Sequence, residues 1–237
     1  MCTVTIVPLE DGFRLACNRD ERRDRPAAVP PRVRSPQKRS AIFPLDPVSG
    51  GTWVGVNHAG LAATLLNRTA ARAVEPGRRA ACSRGLIVPR LLAHEWIGHA
   101  LDAAEAIDAS SFEPFRLVLI HGFTVGLVTS DGRRLATTIS RMRVPLLFTS
   151  SSLGDALVEE PRRRLFEQLV VEDKAAWLRA QFCFHRHQWP ARTDISVSME
   201  RSDARTVSRT VIDVGSHAIE LGYEPVGSAG PLAVRVA

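Results

Sequence analysis

The chain predicts an α+β fold in which mostly antiparallel sheets pack against helical layers. Three observations lead there. Strand-like segments come in consecutive pairs joined by short turns, the pattern of hairpins. Helical patterns come in blocks between groups of strands, not singly between strands, which argues against a doubly wound parallel sheet. The 237 residues, 45% apolar and 24% charged, suit one soluble domain over 1–237 with a full core.

The elements follow in order. Thr3 to Val7 alternates polar and apolar residues, as a strand does. Pro8 to Gly12 gives a turn, and Phe13 to Cys17 returns as the second strand of a hairpin, with Asn18 and Asp20 just past its end. The Arg- and Pro-rich stretch from Arg19 to Ser40 reads as a long loop. Gly50-Gly51-Thr52-Trp53 starts a strand through Val56, Asn57 to Gly60 turns, and Leu61 to Leu66 returns with Asn67 at its exit. Ser83 to Trp96 has helical spacing disturbed at Pro89, and His99 to Ile107 reads as a short helix. Phe115 to Ile120, Thr124 to Val128 and Arg134 to Ile139 read as three strands, the last two linked by an Asp131-Gly132 turn. Pro161 to Phe182 predicts one amphipathic helix with Leu165, Leu169, Val170, Trp177 and Leu178 on one side. The segment from Ile195 to Tyr223 returns to strands.

Composition excludes several classes. No apolar run reaches membrane-spanning length. The start lacks a basic region followed by an apolar segment, so a cytoplasmic location is the expectation. The net charge of +6 is arginine; Lys38 and Lys174 are the only lysines. These arginines are spread along the chain, aromatics are 6%, and no nucleic-acid motif appears, so nucleic acid is not an expected partner. Cys2, Cys17, Cys82 and Cys183 are too scattered for a disulfide framework or a zinc site. Cys17 and Cys183 read as core or half-buried thiols. His94 and His99 are five apart and do not share a helix face, so no metal site is expected. His185 and His187 read as exposed loop histidines. No cofactor is expected.

Cys2 carries the chemistry. If Met1 is trimmed, Cys2 holds a thiol and a free α-amine on one residue, a nucleophile with its own base. Their reference pKa values, roughly 8.5 and 7.7–8.0, allow proton transfer near neutral pH. The ordinary alternative is a chance residue after the initiator methionine.

The tetrad Asn18-Arg19-Asp20-Glu21, followed by Arg25-Pro26, Gly50-Gly51-Thr52-Trp53 and Ser83-Arg84-Gly85, resembles the NRDE family, also called the Transport and Golgi organisation protein 2 family. That family in turn resembles the N-terminal-nucleophile (Ntn) hydrolases of the bile-salt hydrolase and penicillin acylase group. Their Asn-x-Asp triplet falls on Asn18 and Asp20, and their Gly-Leu-Ala strand ending in Asn falls on Gly60-Leu61-Ala62 to Asn67. The resemblance implies a four-layer αββα sandwich. It implies a catalytic set of Cys2 as nucleophile, Asp20 holding the amine or a substrate nitrogen, Asn67 as oxyanion donor and Arg205 lowering the thiol pKa. Asn18, Arg19, Ser150 and Trp53 support that set, Trp53 as core or pocket wall. Two positions depart from the hydrolase pattern. The arginine before the triplet is Cys17, and the second asparagine falls on Ser150. Arg19 lies inside the triplet, and alternation turns it away from Asn18, a poor substitute for the missing arginine.

The implied function is a cysteine amide or ester hydrolase, or an acyltransferase, acting on a non-peptide bond of a small acyl amide, ester or thioester. The alternative implied by the resemblance is a non-catalytic protein of lipid or haem handling that binds acyl-CoA or haem on the same fold. A nucleic-acid or protein-binding module driven by the arginines ranks last.

Overall fold

The computed structural model describes residues 2–69, 80–171, 174–227 and 230–236. Met1, and residues 172–173 within the predicted long helix, lie outside them. The described strands form two antiparallel sheets. The first contains β1 (Cys2–Pro8), β2 (Phe13–Arg22), β10 (Leu146–Thr149), β11 (Ala204–Val214), β12 (Ile219–Pro225) and β13 (Leu232–Val236), in the order β10-β1-β2-β11-β12-β13. The second runs from β3 (Val29–Arg34) through β4 (Ala41–Leu45), β5 (Val54–Asn57), β6 (Ala62–Asn67), β7 (Phe115–His121) and β8 (Thr124–Ser130) to β9 (Leu135–Arg141).

Period-two alternation builds the layers. Cys2, Val4 and Ile6 of β1 and Phe13, Leu15 and Cys17 of β2 point between the sheets, against Ile42, Val56, Leu66 and Val118 of the second. Val7 points the other way, onto Phe166, Val170, Trp177 and Phe184 of α3 (Asp155–Phe166), its following turn and α4 (Trp177–Arg186). On the far side, Ala63, Leu65, Leu117 and Leu119 pack on α1 (Ile87–Leu91) and α2 (Ile97–Glu105). The result is the four-layer αββα sandwich. Each fully buried large apolar side chain contributes roughly 1.5–3 kcal/mol of transfer energy. No helix among the described residues is long and apolar enough to cross a membrane.

The Asn57–Gly60 turn forms as its residues dictate. The Asn57 carboxamide oxygen accepts from the Ala59 and Leu61 N–H groups, and Gly60 takes φ +81, which only glycine adopts without strain. The same carboxamide donates to the carbonyls of Leu92 and His94, which ends α1 at Leu91 short of the predicted Trp96.

Several elements depart from expectation. β2 runs on to Arg22, so the tetrad lies inside a ladder between β1 and β11, not past the end of a hairpin. The predicted loop contains β3, which carries Pro30 and Pro31 because it is an edge strand. The predicted long helix is two, since a π turn over Glu167–Val171 follows α3 and shifts the apolar stripe. Beyond that turn Phe184 is therefore buried and Leu178 is exposed.

Candidate active site

Cys2 opens β1 with its side chain toward the second sheet. It is 3% exposed and sits in the wall of a cavity of about 220 Å³ that Arg19, Asp46, Trp53, Asn67 and Arg84 also line. Strand register places Arg19 directly opposite Cys2. The alternation that turns Arg19 away from Asn18 turns it onto the Cys2 face, so Arg19 is the arginine the fold brings to the thiol. Its guanidinium lies 4.2 Å above the Trp53 ring and 2.7 Å from Asp46, with Glu21 at 3.3 Å. Arg25 joins Asp46 from the other side at 2.8 Å. Asp46 stays ionised, held below the usual carboxylate range against its own burial by Arg25, the Ser49 and Val48 amides and Arg19.

Cys17 lies one alternation step along β2 on the same face. Its thiol hydrogen bond to Cys2 is the main influence lowering the Cys2 pKa; burial and the Asp20 charge oppose it, and the N-terminal charge and, least of all, the Arg19 charge add to it. The Cys17 thiol is pushed well above its ordinary value by that same bond and by burial, so it is the neutral donor of the pair. The missing hydrolase arginine is thus replaced by a thiol that touches Cys2.

The backbone nitrogen of Cys2 donates to Ser150 Oγ at 3.2 Å, and the Ser150 N–H returns a bond to the Cys2 carbonyl at 3.0 Å. Since Cys2 pairs with Arg19, Asp20 lies one step beyond the end of β1, on the opposite face from the thiol. Asp20 is 2% exposed and accepts from Thr206 Oγ1 at 2.6 Å. Burial raises its pKa, and the charge of Arg162 works against that rise. Arg162, from α3, is 1% exposed and donates to Thr3 Oγ1, Thr149 Oγ1 and the Ile195 and Ser196 carbonyls. Sequence reasoning missed it among Pro161-Arg162-Arg163-Arg164. The only signal is its i+4 spacing from Val158 and to Phe166 on the buried helix face.

Asn18 does different work. Its amide donates to the His185 and Val197 carbonyls, so its oxygen must accept from His185 Nδ1 at 2.9 Å. His185 is buried, and desolvation lowers its pKa to about 3, so the ring is neutral. Its Nε2 is then an acceptor, and Thr5 Oγ1 donates to it at 2.7 Å while accepting from Gln181. Asn18 thus clamps α4 onto the first sheet. His185 is a core residue in α4, not the exposed loop histidine expected.

Asn67 ends β6 on the cavity, and its side-chain amide bonds to nothing else among the described residues. Arg205 is exposed, pairs in register with Glu21 and lines a neighbouring depression with Arg22 and Arg23. The fold therefore brings Cys2, Arg19, Trp53 and Asn67 to one cavity, sets Asp20 and Ser150 at the nitrogen end of Cys2, and leaves Arg205 outside. Cys183 is exposed, not half-buried, and Cys82 is exposed as well. Among the described residues no group of three or more His, Cys, Asp or Glu side chains is placed to hold a metal ion.

This arrangement coincides with the span of a known family. The family described as Transport and Golgi organisation 2 matches residues 1–182. The chain belongs to that family. None of the curated proteins matches the sequence. Among solved structures, an N-acylethanolamine-hydrolyzing acid amidase ortholog from Caenorhabditis elegans superposes with a TM-score of 0.57 at 13% identity, covering 89% of this chain and 92% of the other. A cysteine-to-alanine mutant of conjugated bile acid hydrolase from Clostridium perfringens gives 0.53 at 10% identity, over 98% and 92%. An arginine-to-leucine variant of that hydrolase gives 0.54 at 10% identity, over 99% and 92%. At these identities the likeness is one of fold, and this family member shares the Ntn-hydrolase sandwich.

Proposed function

We propose that the chain is a single-domain Ntn-type cysteine hydrolase or acyltransferase acting on an amide, ester or thioester of a small acyl compound. The observation that carries this reading is the position of Cys2, at the head of β1 in a cavity wall, opposite Arg19 and bonded through its nitrogen to Ser150.

With Met1 removed, the α-amine accepts the thiol proton and Cys2 Sγ attacks the acyl carbon. Ser150 accepts from that amine and the Asp20 charge stands near it, which keeps its lone pair directed at the thiol. The oxyanion receives a hydrogen bond from Asn67 Nδ2. Collapse expels the leaving amine or alcohol, which takes the proton from the ammonium, and leaves a Cys2 thioester. Water then attacks with the amine as base, the acid departs and the thiol is restored.

Turnover of para-nitrophenyl acyl esters by Asn67→Ala tests the assignment. Loss of one oxyanion donor lowers kcat by about 10²–10³ with the fold intact. A drop of only a few-fold at unchanged thermal stability assigns Asn67 to the turn alone.

A second reading, a carrier of an acyl lipid or haem, draws support from a separate apolar cavity of about 220 Å³ between α4 and the first sheet, with Leu178 and Phe182 in its wall. A carrier binds its ligand equally well as Cys2→Ala.

A further inference from the structure

We propose that Arg84 receives an anionic group of the substrate, so that the Cys2 cavity selects acyl compounds carrying a carboxylate. This rests on the hydrolase reading and names its substrate class.

The cavity is lined by three guanidinium groups, Arg19, Arg25 and Arg84, and two carboxylates, Glu21 and Asp46. The first two arginines are taken. Arg19 and Arg25 both lie on Asp46, at 2.7 and 2.8 Å, and both reach Glu21, at 3.3 and 3.5 Å. Arg84 forms no ion pair among the described residues. Its one hydrogen bond runs from Nη1 to the Pro114 carbonyl at 2.8 Å. A guanidinium has five N–H donors in a planar fork, so the side chain lines the cavity with most of that capacity unused among the described residues. It is also partly withdrawn from water, and desolvation lowers its pKa. Glu113 and Glu21 act on it only through space, so this half-buried cation has no carboxylate in direct contact among the described residues, which is costly.

Arg84 is held there by the backbone beneath it. The Thr52 N–H donates to the Gly85 carbonyl at 2.9 Å. A Cβ on Gly51 would stand 2.3 Å from the Gly85 carbonyl carbon and oxygen, so only glycine allows the two segments to meet. Ser83 Oγ accepts from the Gly85 N–H at 3.3 Å and fixes the turn that carries Arg84. The motifs Gly50-Gly51-Thr52-Trp53 and Ser83-Arg84-Gly85 are therefore one interlocked unit, and the Gly51 carbonyl also accepts from the Asp46 N–H at 2.8 Å. One piece of backbone thus positions the acid that occupies Arg19 and Arg25 and the arginine that remains open. A carboxylate accepts two parallel bonds from such a fork and supplies the directly bonded negative charge that Glu113 and Glu21 do not.

The test compares mono-para-nitrophenyl glutarate with para-nitrophenyl butanoate, matched esters with and without a carboxylate. The wild type favours the glutarate ester in kcat/KM by about tenfold or more, the scale of one charge-assisted contact. Arg84→Gln brings that ratio near one, and Arg84→Lys, which keeps the charge without the fork, gives an intermediate ratio. Equal or reversed preference in the wild type overturns the proposal, and this comparison stands even if Arg84→Gln does not fold. A preference that survives in folded Arg84→Gln overturns it as well. Calorimetry with glutarate separates this inference from the hydrolase reading. If neither ester is turned over, the hydrolase reading fails, and Arg84-dependent binding of glutarate, absent for butyramide, still upholds the anion site. Absence of that binding overturns it.

Discussion

Arg19 stands directly opposite Cys2 in the β1–β2 ladder, with its guanidinium 4.2 Å above Trp53 and 2.7 Å from Asp46. The fold thereby fixes a buried cation on the thiol face of β1 while keeping Asp20 on the other face, one step beyond the end of β1. Both charges reach the Cys2 thiol, Asp20 raising its pKa and Arg19 lowering it.

The first prediction concerns Cys17. Its thiol hydrogen bond is the leading cause of the lowered Cys2 pKa, so Cys17→Ala raises that pKa. Iodoacetamide labelling of Cys2 then slows at neutral pH, and the midpoint of its pH profile moves up, about tenfold less thiolate for each unit moved below that midpoint. In the wild type Cys17 itself stays unlabelled at neutral pH. An unchanged Cys2 profile in Cys17→Ala contradicts the thiol pair.

His185 makes folding sensitive to acid. Its folded pKa of about 3 lies below the ordinary 6.5, so the unfolded chain binds the extra proton between these values. The stability this neutral histidine contributes is present above pH 6.5 and is lost as pH falls toward 3, by at most about 1.4 kcal/mol per pH unit. Asp20, whose pKa is raised, works in the opposite sense over part of that window. Comparing wild type with His185→Gln cancels the Asp20 contribution. Chemical denaturation at several pH values finds a shallower acid slope in His185→Gln, and equal slopes contradict the account.

Arg162 joins α3 to the first sheet. Arg162→Met leaves the Ile195 and Ser196 carbonyls without their donor and removes the cation that opposes Asp20 protonation. Unfolding free energy falls by roughly 2–5 kcal/mol. Denaturation midpoints check it, and a loss below about 1 kcal/mol, the size of a surface change, contradicts the buried role.

The antiparallel pairing, the hairpins around Pro8–Gly12 and Asn57–Gly60, and the helical blocks were legible because turn chemistry and period-two alternation are local. The placement of Asn67 and Trp53 on the Cys2 cavity follows from those same hairpins. What was not legible depends on distant partners. β2 continues through Asn18 and Asp20 because His185, Val197 and Thr206 satisfy these polar side chains, and no local propensity encodes that. Alternation gave the direction of Arg19 correctly, but only the register of β1 shows that this direction leads to Cys2. Arg162 is hidden among charged neighbours. Arg205 matched by position along the chain, yet it lies on a β11 stretch whose register leads to Glu21, away from the thiol.

The central claim is that Cys2 is an N-terminal nucleophile, and intact mass spectrometry tests it most directly. The purified protein is weighed before and after brief mixing with mono-para-nitrophenyl glutarate. The account predicts a chain lacking Met1 that gains one acyl group, mapped to Cys2 and absent in Cys2→Ala. Met1 fully retained, or no Cys2-linked acyl group at any time while ligand binding persists in Cys2→Ala, contradicts it.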